Sequence, residues 1–477
     1  MPTKISFAFV TIEGMQIIAD LHIHSKYSRA VSQQMNLEQI SLWASKKGVD
    51  LVATGDWTHP LWFREISANL KEVQNGVFAL KKKSIEQKND AYFILSLEIS
   101  SIYSQGGKTR RVHNVILSPS LSTTGKVIKE LQRRGTNLMS DGRPITGISS
   151  YNLLEMFLSI DENILMIPAH IWTPWFSLFG SMSGFDSIDE CFGNLSRYIY
   201  GVETGLSSDP IMNWQIKELE NRSILSSSDA HSGPKLGREA TVFVPNTNSK
   251  FQIPASAEAS AGKPNSKFSY VDIVDAIKQK PEGKLKIGYT IEFFPEEGKY
   301  HYTGHRACGI KYSAKETKEK GVMCPVCKKP LTVGVEHRVL DLSEKLLSGE
   351  DLSLAKNKVG VTFVSDKEKR RRPFVSMIPL LEILTEITGS PAKALREYER
   401  LILTSTEFDI LLKKSYEEIE TLGGPQLKKA IEIVRDRKAY VEPGYDGVFG
   451  TVKIFNPQNE SKPEDGEREK KEQLGLF

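Results

Sequence analysis

The strongest constraint on this chain is the run IIADLHIHS, which ends at Ser25. Apolar residues lead into Asp20, His22 and His24 at alternate positions, with Leu21 and Ile23 between them. Side chains along a strand alternate in direction, so the three polar groups are expected on one face and Leu21 and Ile23 on the other. A strand end of this kind presents ligands to a metal. The pattern recurs: SSSDAHSG sets Asp229 and His231 two apart after Ile224 and Leu225, and LVATGDWTH closes an apolar run with Asp56, followed by His59. Glu98 ends AYFILSLE, His113 lies in VHNVIL, His170 closes ILMIPAH and Glu203 follows YIYGV. Six of the nine histidines thus precede residue 232, each in or just after an apolar segment. Burying so many polar groups singly is costly, whereas two or three shared divalent ions satisfy them together.

A chain of 477 residues exceeds one hydrophobic core and implies two or three domains. The formal net charge is only +4, so any surface for nucleic acid must be local. Three of the four cysteines fall in one short stretch, which points to a metal module in a reducing cytoplasm rather than a disulfide scaffold. No apolar run approaches the ~18 residues of a membrane span, and the opening residues lack a secretory leader. Met15 stands immediately before the patterned region as an alternative start.

Residues 36–47 carry a helical apolar stripe closed by Gly48, and 49–54 read as a strand. Helix, strand and terminal ligand then repeat to about residue 240. This is the organisation of an α/β barrel, whose strands present functional groups at their C-terminal ends. No GxGxxG follows the first strand to favour an open dinucleotide sheet.

Together the HxH ladder, the TGD turn, Glu98, His113, PAH and SDAH resemble the polymerase-and-histidinol-phosphatase (PHP) domain. The resemblance implies a distorted (β/α)7-type barrel around a two- or three-metal centre that hydrolyses phosphate esters. Carried over by motif, the metal ligands are His22, His24, Asp56, Glu98, His113, His170, Asp229 and His231. Asp56 takes a place that is a histidine in many members, His59 is a ligand or proton donor, and Glu203 binds metal or orients a ligand. Catalysis is expected from Asp56, Glu98, His113, Asp229 and His231, with Glu98 suited to bridge two ions. Such a pair activates a water, neutralises the phosphate and stabilises the leaving oxygen. The mixed nitrogen and oxygen set suits zinc, manganese or iron better than an oxygen-only magnesium site. Zinc, manganese and magnesium all stay open as the working ion.

Several features exceed what a simple phosphatase requires. Lys108, Arg110 and Arg111 precede His113, Arg133 and Arg134 precede GTNLMSDGRPITG, and Lys369, Arg370 and Arg371 lie in KEKRRRP. As groups they suit a DNA backbone. Trp172, Trp175 and Phe176 follow His170 directly and are placed to wedge or stack a displaced base. Asn137, Ser140, Asp141 and Arg143 are candidates for base-edge or sugar contacts.

The first domain is assigned to 16–299, with an insertion at about 245–267, a helix over 270–278 and a strand over 286–294. A zinc module follows at 300–340. His305-x2-Cys308 and Cys324-x2-Cys327 are separated by fifteen residues, and four such ligands close a structural zinc tetrahedron. His337 is the alternative fourth ligand. Residues 341–455 read as a mainly helical DNA-binding domain, with helices over 340–347, 378–387, 391–403, 407–419 and 425–436 and two short extended pieces within 440–455. From 456 the chain is charged and poor in apolar residues, the composition of a disordered tail. Its last five residues, QLGLF, resemble the peptide by which bacterial repair and replication proteins bind the sliding clamp, through Gln473, Leu474, Leu476 and Phe477.

Over residues 18–455 the chain resembles the endonuclease Q family. SKYSRAVS, TGDWTHPLW, NLMSDGRPITG, HIWTPWFSLFG, the cysteine module and EPGYDGVFGTVKIF carry that resemblance. It implies a monomeric, cytoplasmic, nucleoid-associated DNA repair nuclease. Such an enzyme nicks double- or single-stranded DNA on the 5′ side of uracil, hypoxanthine, xanthine or an abasic site. Two other functions compete: a PHP-type phosphoesterase for a small molecule, and a non-catalytic DNA-binding scaffold. The zinc module, basic clusters and clamp-like tail argue against the first, and the intact ligand set against the second.

Overall fold

The computed structural model describes residues 16–82, 91–246 and 268–455. Most of the 245–267 insertion and the Gln473–Phe477 peptide lie outside the described residues.

The chain opens with β1 (Ile17–Asp20), α1 (Leu37–Lys47), β2 (Leu51–Ala53) and α2 (Pro60–Asn69). The Asn36 side chain caps α1 by accepting from Gln39 N, and Gly48 closes it through a bond from its N–H to Ala44 O. β3 (Leu70–Gln74), β4 (Val77–Leu80), β5 (Tyr92–Gln105) and β6 (Lys108–Ser118) then follow, with no helix between them among the described residues. The helix–strand repeat expected of a parallel barrel is interrupted here. β5 and β6 form a long antiparallel hairpin that pairs Glu98 with Val115 and Ser100 with His113. Its turn is Gly106–Gly107, both at positive φ (61° and 73°), the backbone that a tight hairpin requires and that glycine supplies. Glu98 and His113, expected on separate parallel strands, are therefore brought together across one hairpin.

The chain continues with α3 (Leu121–Arg133), β7 (Ile145–Thr146), α4 (Ser150–Ile160), β8 (Leu165–Pro168), α5 (Ile188–Phe192), β9 (Gly201–Glu203), α6 (Pro210–Trp214) and β10 (Ser223–Leu225). β11 (Ala240–Pro245), α7 (Tyr270–Ile277) and β12 (Leu285–Glu292) follow. β1, β2 and β5 are parallel, as are β9 and β10, whereas β6–β8 and β1–β11 are antiparallel. Ile171 N donates to Glu203 O (3.1 Å), and a parallel bridge joins Ile23 to Ala230, so the strand ends converge.

Alternate strand residues separate into two apolar clusters. Ile17, Ala19, Leu51, Ile94, Val115, Leu117, Leu165 and Ile167 pack with α7, while Ile18, Val52, Phe93, Leu95, Ile116 and Met166 join the larger core with α1 to α4. Leu21 follows the first set, but Ile23 joins the second. The regular alternation of the opening ladder thus stops where β1 ends and its histidines leave the sheet.

The zinc-module segment contains β13 (Thr303–His305), β14 (Ile310–Tyr312), α8 (Ala314–Lys320) and α9 (Val335–Leu342). The helix expected at 340–347 lies earlier, as α9. Residues 341–378, expected to begin a helical domain, instead carry β15 (Leu352–Lys356), β16 (Thr362–Asp366) and β17 (Phe374–Ser376). β17 pairs in parallel with β12, so these strands extend the sheet that contains β1. The helices start at α10 (Leu380–Thr388) and α11 (Pro391–Leu401). A π-helical turn (Asp409–Lys413) follows, then α12 (Tyr416–Arg435), broken at Gly424 before Pro425. A buried ion pair, Lys47 Nζ to Glu407 Oε2 at 2.8 Å, ties α1 to this helical region. The final hairpin, β18 (Tyr440–Glu442) and β19 (Thr451–Lys453), packs against the zinc module: Tyr302 N donates to Gly444 O (2.9 Å) and Thr332 Oγ1 to Asp446 Oδ1 (2.6 Å). Among the described residues no helix is long and apolar enough to cross a membrane.

Candidate functional site

The strand ends bring two ligand groups together. In the first, ligand atoms of His22, His24, Glu98 and Asp229 all lie within 4.8 Å of one another; in the second, those of Glu98, His113 and His170 do. Glu98 belongs to both. Its Oε2 faces His24 Nε2 (3.2 Å) and His22 Nε2 (3.7 Å), while its Oε1 meets His113 Nδ1 (2.7 Å) and His170 Nε2 (3.0 Å). Asp229 Oδ1 closes the first group at 3.0 Å from His24 Nε2 and 3.6 Å from His22 Nε2. His22 Nε2, His24 Nε2 and Asp229 Oδ1 are buried and have no hydrogen-bond partner. Three buried donor atoms that converge without satisfying one another fit a divalent cation, which the nitrogen and oxygen donor set also suits.

The backbone is held in an unusual state to achieve this. Asp56 (φ 49°), His170 (φ 29°) and Asp229 (φ 49°), beyond the ends of β2, β8 and β10, all adopt left-handed conformations that non-glycine residues avoid. Such strain persists where surrounding contacts enforce it, and it concentrates at functional sites.

Asp56 and Glu203, expected among the metal ligands, stand one layer back. Asp56 accepts from Ser25 N (2.6 Å), Ser25 Oγ (2.7 Å) and Ser28 Oγ (2.9 Å), and its Oδ1 lies 3.0 Å from His24 Nδ1. Glu203 does the same for His22 Nδ1 (2.9 Å) and accepts from His170 N (3.1 Å). Each carboxylate thus holds the nitrogen of its histidine that points away from the centre, fixing the ring and leaving Nε2 aimed inward. Ser25 and Ser28, which anchor Asp56, were not singled out from sequence, although SKYS places both just past the ladder. Asp20 also lies outside both groups: it accepts from Ser228 N (3.0 Å), Ser228 Oγ (2.6 Å) and Gly237 N (2.8 Å), which fixes the loop carrying Asp229.

His231 is half-exposed at the rim, its ring 4.8 Å from that of His24 and outside both ligand groups. Its Nδ1 donates to Asp229 O (2.7 Å), which leaves the lone pair of the neutral ring on Nε2. His59 is buried against Tyr27 (ring centroids 4.3 Å) and is also outside the groups; burial lowers its pKa.

Burial disfavours the protonated forms of His22 and His24, but carboxylates outweigh it and hold both pKa values well above the ordinary one. Glu203, Asp229 and Glu98 do this for His22, chiefly Asp56 for His24. His113 is pulled down to about 4 by burial, only partly offset by Glu98, so its ring is neutral at pH 7. Burial pushes the Glu98 carboxyl up, yet His113, Arg143 and His22 hold it well below the usual range. The centre is thus a set of anionic oxygens and imidazoles that exchange protons for cations.

The residues expected to contact DNA divide. Lys108, Asn137, Ser140 and Lys369 are exposed. Arg110 is buried: its guanidinium donates to Gly184 O, pairs with Glu190 Oε1 (2.6 Å) and lies over the Phe185 ring, so it is a packing residue. Trp172 is 1% exposed with Nε1 on Asn213 Oδ1 (2.9 Å), which places it in the core rather than in a wedge. Phe176 packs on the His113 ring (4.8 Å) with Arg111 over it, buttressing a ligand. Arg371 donates to Leu219 O and Glu220 O, and Arg370 pairs with Glu368, so both are held by the protein itself. Trp175 is partly exposed against Tyr300 and lines a cavity of about 530 Å³ with His305, Arg306, Lys329 and Asp446. Arg143 reaches into the centre itself, Nη1 to Glu98 Oε2 at 2.9 Å.

In the cysteine module a ring nitrogen of His305 and the Sγ atoms of Cys308, Cys324 and Cys327 lie within 4.8 Å of one another, and all three cysteines are free thiols. Burial raises the Cys324 pKa, but the Cys327 backbone N–H and His305 overcome this and bring it to about 6. Four such donors fit zinc. His337 is elsewhere, with Nδ1 on Ala314 O (3.2 Å).

The fold and these groups define an α/β protein with a metal-binding centre at its strand ends. It is a structural homologue of the lesion-specific endonuclease PfuEndoQ from Pyrococcus furiosus: the TM-score is 0.73 at 29% identity, over 94% of this chain and 98% of that one. The match is equally good, 0.73 at 29% identity over 94% and 99%, to endonuclease Q in complex with a 27-mer duplex bearing an abasic lesion at the active site. Among curated proteins, the uncharacterized YqxK of Bacillus subtilis is 25% identical over 456 residues, 92% of this chain and 99% of its own length. The uncharacterized MJ0043 of Methanocaldococcus jannaschii is 29% identical over 293 residues, 60% of this chain. The matched stretch spans 32% of that longer protein. No family model matches the chain.

Proposed function

We propose that this chain is a metal-dependent DNA endonuclease that nicks the backbone on the 5′ side of an abasic or deaminated nucleotide. The observation that carries this reading is Glu98, which gives one oxygen to each of two histidine groups in a chain homologous over 94% of its length to an endonuclease bound to abasic DNA. His22, His24, Glu98 and Asp229 would hold one ion and Glu98, His113 and His170 a second, in a distorted PHP-type barrel spanning 16–299. Divalent ions there supply Lewis acidity for attack of water on a phosphodiester. Asp56 and Glu203 keep the His24 and His22 rings aimed at the centre. His231, with its lone pair on Nε2 at the rim, takes the proton that the attacking water gives up as the phosphorus–oxygen bond to the departing sugar breaks. His305, Cys308, Cys324 and Cys327 hold a structural zinc that braces the 300–340 module against the final hairpin. The terminal QLGLF is our candidate for a sliding-clamp contact, so deleting Gln473–Phe477 is expected to lower affinity for the clamp.

The test is nicking of an abasic duplex by the metal-loaded protein. Asp229→Ala and His113→Ala are expected to abolish cleavage while the duplex is still bound. Wild-type rates in both variants sink the assignment.

A further inference from the structure

Arg143 is, among the described residues, the Arg or Lys that pairs with Glu98. Its Nη1 sits 2.9 Å from Glu98 Oε2, the oxygen that also faces His24 Nε2 at 3.2 Å and His22 Nε2 at 3.7 Å. The side chain is 27% exposed, so it extends from the opening of the site into the first ligand group. Both flanks of the residue are anchored. Gly142 N donates to Tyr27 O (2.9 Å), and a Cβ at Gly142 would lie 2.5 Å from both Asp56 Oδ2 and Ser28 Oγ, so the backbone is seated directly on the network that orients His24. On the other side Pro144 O accepts from Ser100 N of β5 (3.0 Å). Asp141 Oδ1 accepts from Arg143 N (3.2 Å). With the backbone fixed, only the guanidinium is free to relocate.

The guanidinium and a cation held by His22, His24 and Asp229 would compete for the negative charge of Glu98 Oε2, and two positive charges a few ångströms apart in a buried site repel strongly. We infer that Arg143 is a placeholder cation on Glu98 in the metal-free protein, and that on metal loading it turns from Glu98 to the phosphate being cleaved. Its planar fork offers paired N–H donors to phosphate oxygens, and its place at the opening puts it on the side from which an anionic backbone approaches. This inference rests on the phosphodiesterase reading. It makes Arg143 a catalytic residue of the centre rather than a base-edge or sugar contact.

The experiment uses the full chain and the variants Arg143→Gln and Arg143→Lys, first checked for wild-type thermal melting. Manganese(II) titration of the metal-free proteins reads the placeholder role: Arg143→Gln is expected to bind roughly tenfold more tightly, because a charge-assisted competitor is gone, whereas Arg143→Lys stays close to wild type. Hydrolysis of bis(p-nitrophenyl) phosphate and nicking of an abasic duplex read the phosphate role: kcat of Arg143→Gln is expected to fall about 100- to 1,000-fold, with a smaller change in KM. Unchanged or weaker manganese binding by Arg143→Gln overturns the placeholder, and an unchanged kcat overturns the phosphate contact. Wild-type protein that hydrolyses the small diester but nicks no duplex overturns the DNA reading and leaves both measurements on Arg143 in force.

Discussion

Asp56→Asn separates an orienting carboxylate from a metal ligand. Asp56 is fully buried and uses both oxygens on Ser25, Ser28 and His24. Asparagine has nearly the same volume, so packing is kept and only charge and donor pattern change. If the new NH2 takes the Oδ2 position it confronts the Ser25 N–H, two donors face to face. If it takes the Oδ1 position it donates to His24 Nδ1, which drives the ring proton onto Nε2, the nitrogen aimed at Glu98 and Asp229. Either way about one charge-assisted hydrogen bond is lost, about 1.5–3 kcal/mol, which corresponds to roughly 10- to 150-fold weaker metal binding. Competition against a chelator measures both affinity and stoichiometry. The expected result is weaker binding with every equivalent retained. Loss of a whole equivalent makes Asp56 a ligand, and unchanged affinity refutes the orientation argument.

Other outcomes follow from the same geometry. Trp172→Ala removes a core side chain bonded to Asn213 and is expected to cost about 3–5 kcal/mol of stability in urea denaturation; wild-type stability with weakened DNA binding would restore Trp172 as a wedge. Glu292 is buried, and that burial raises its pKa from 4.5 to about 8 despite hydroxyl donors such as Ser226. The folded protein therefore keeps a proton that the unfolded chain releases, so this carboxyl makes stability fall as pH rises from about 4.5 to 8. Glu292→Gln is expected to flatten that decline in denaturation at pH 5 and pH 8, and an unchanged slope contradicts the assignment. Because His22 and His24 retain protons well above the ordinary pKa, metal uptake is expected to release protons and to weaken on acidification, which calorimetry in buffers of different ionisation enthalpy measures. His305→Ala is expected to lose one equivalent of zinc and His337→Ala none; the reverse result would exchange their roles.

Much of this centre is legible in the sequence because a ligand after an apolar strand leaves a local signature. His22, His24, Glu98, His113, His170 and Asp229 each bear it, and the spacing of His305, Cys308, Cys324 and Cys327 is equally direct. What the pattern does not distinguish is a carboxylate that faces the centre from one that faces the far nitrogen of a histidine. Asp56 follows a strand and Glu203 ends one, much as Asp229 follows β10, and only tertiary contacts set their aim: Ser25 and Ser28 hold Asp56, and the His170 N–H holds Glu203. The β5–β6 hairpin was hidden because strands buried on both faces look alike whether parallel or antiparallel; Gly106–Gly107 was the available cue. β15 to β17 escaped notice because each is short and KEKRRRP separates β16 from β17. Arg110 read as a surface charge, although it alternates with Val112 and Asn114 on the buried face of β6.

The most direct test of the central claim is to incubate the metal-replete protein with end-labelled duplexes that carry one abasic site, one deoxyinosine, one deoxyuridine or no lesion, and to map every cut at nucleotide resolution. A single metal-dependent nick on the 5′ side of the lesion, absent from the undamaged duplex and from Asp229→Ala, is the predicted result. Equal cutting of all four duplexes, or hydrolysis of small phosphate esters with no cut on any duplex, contradicts it.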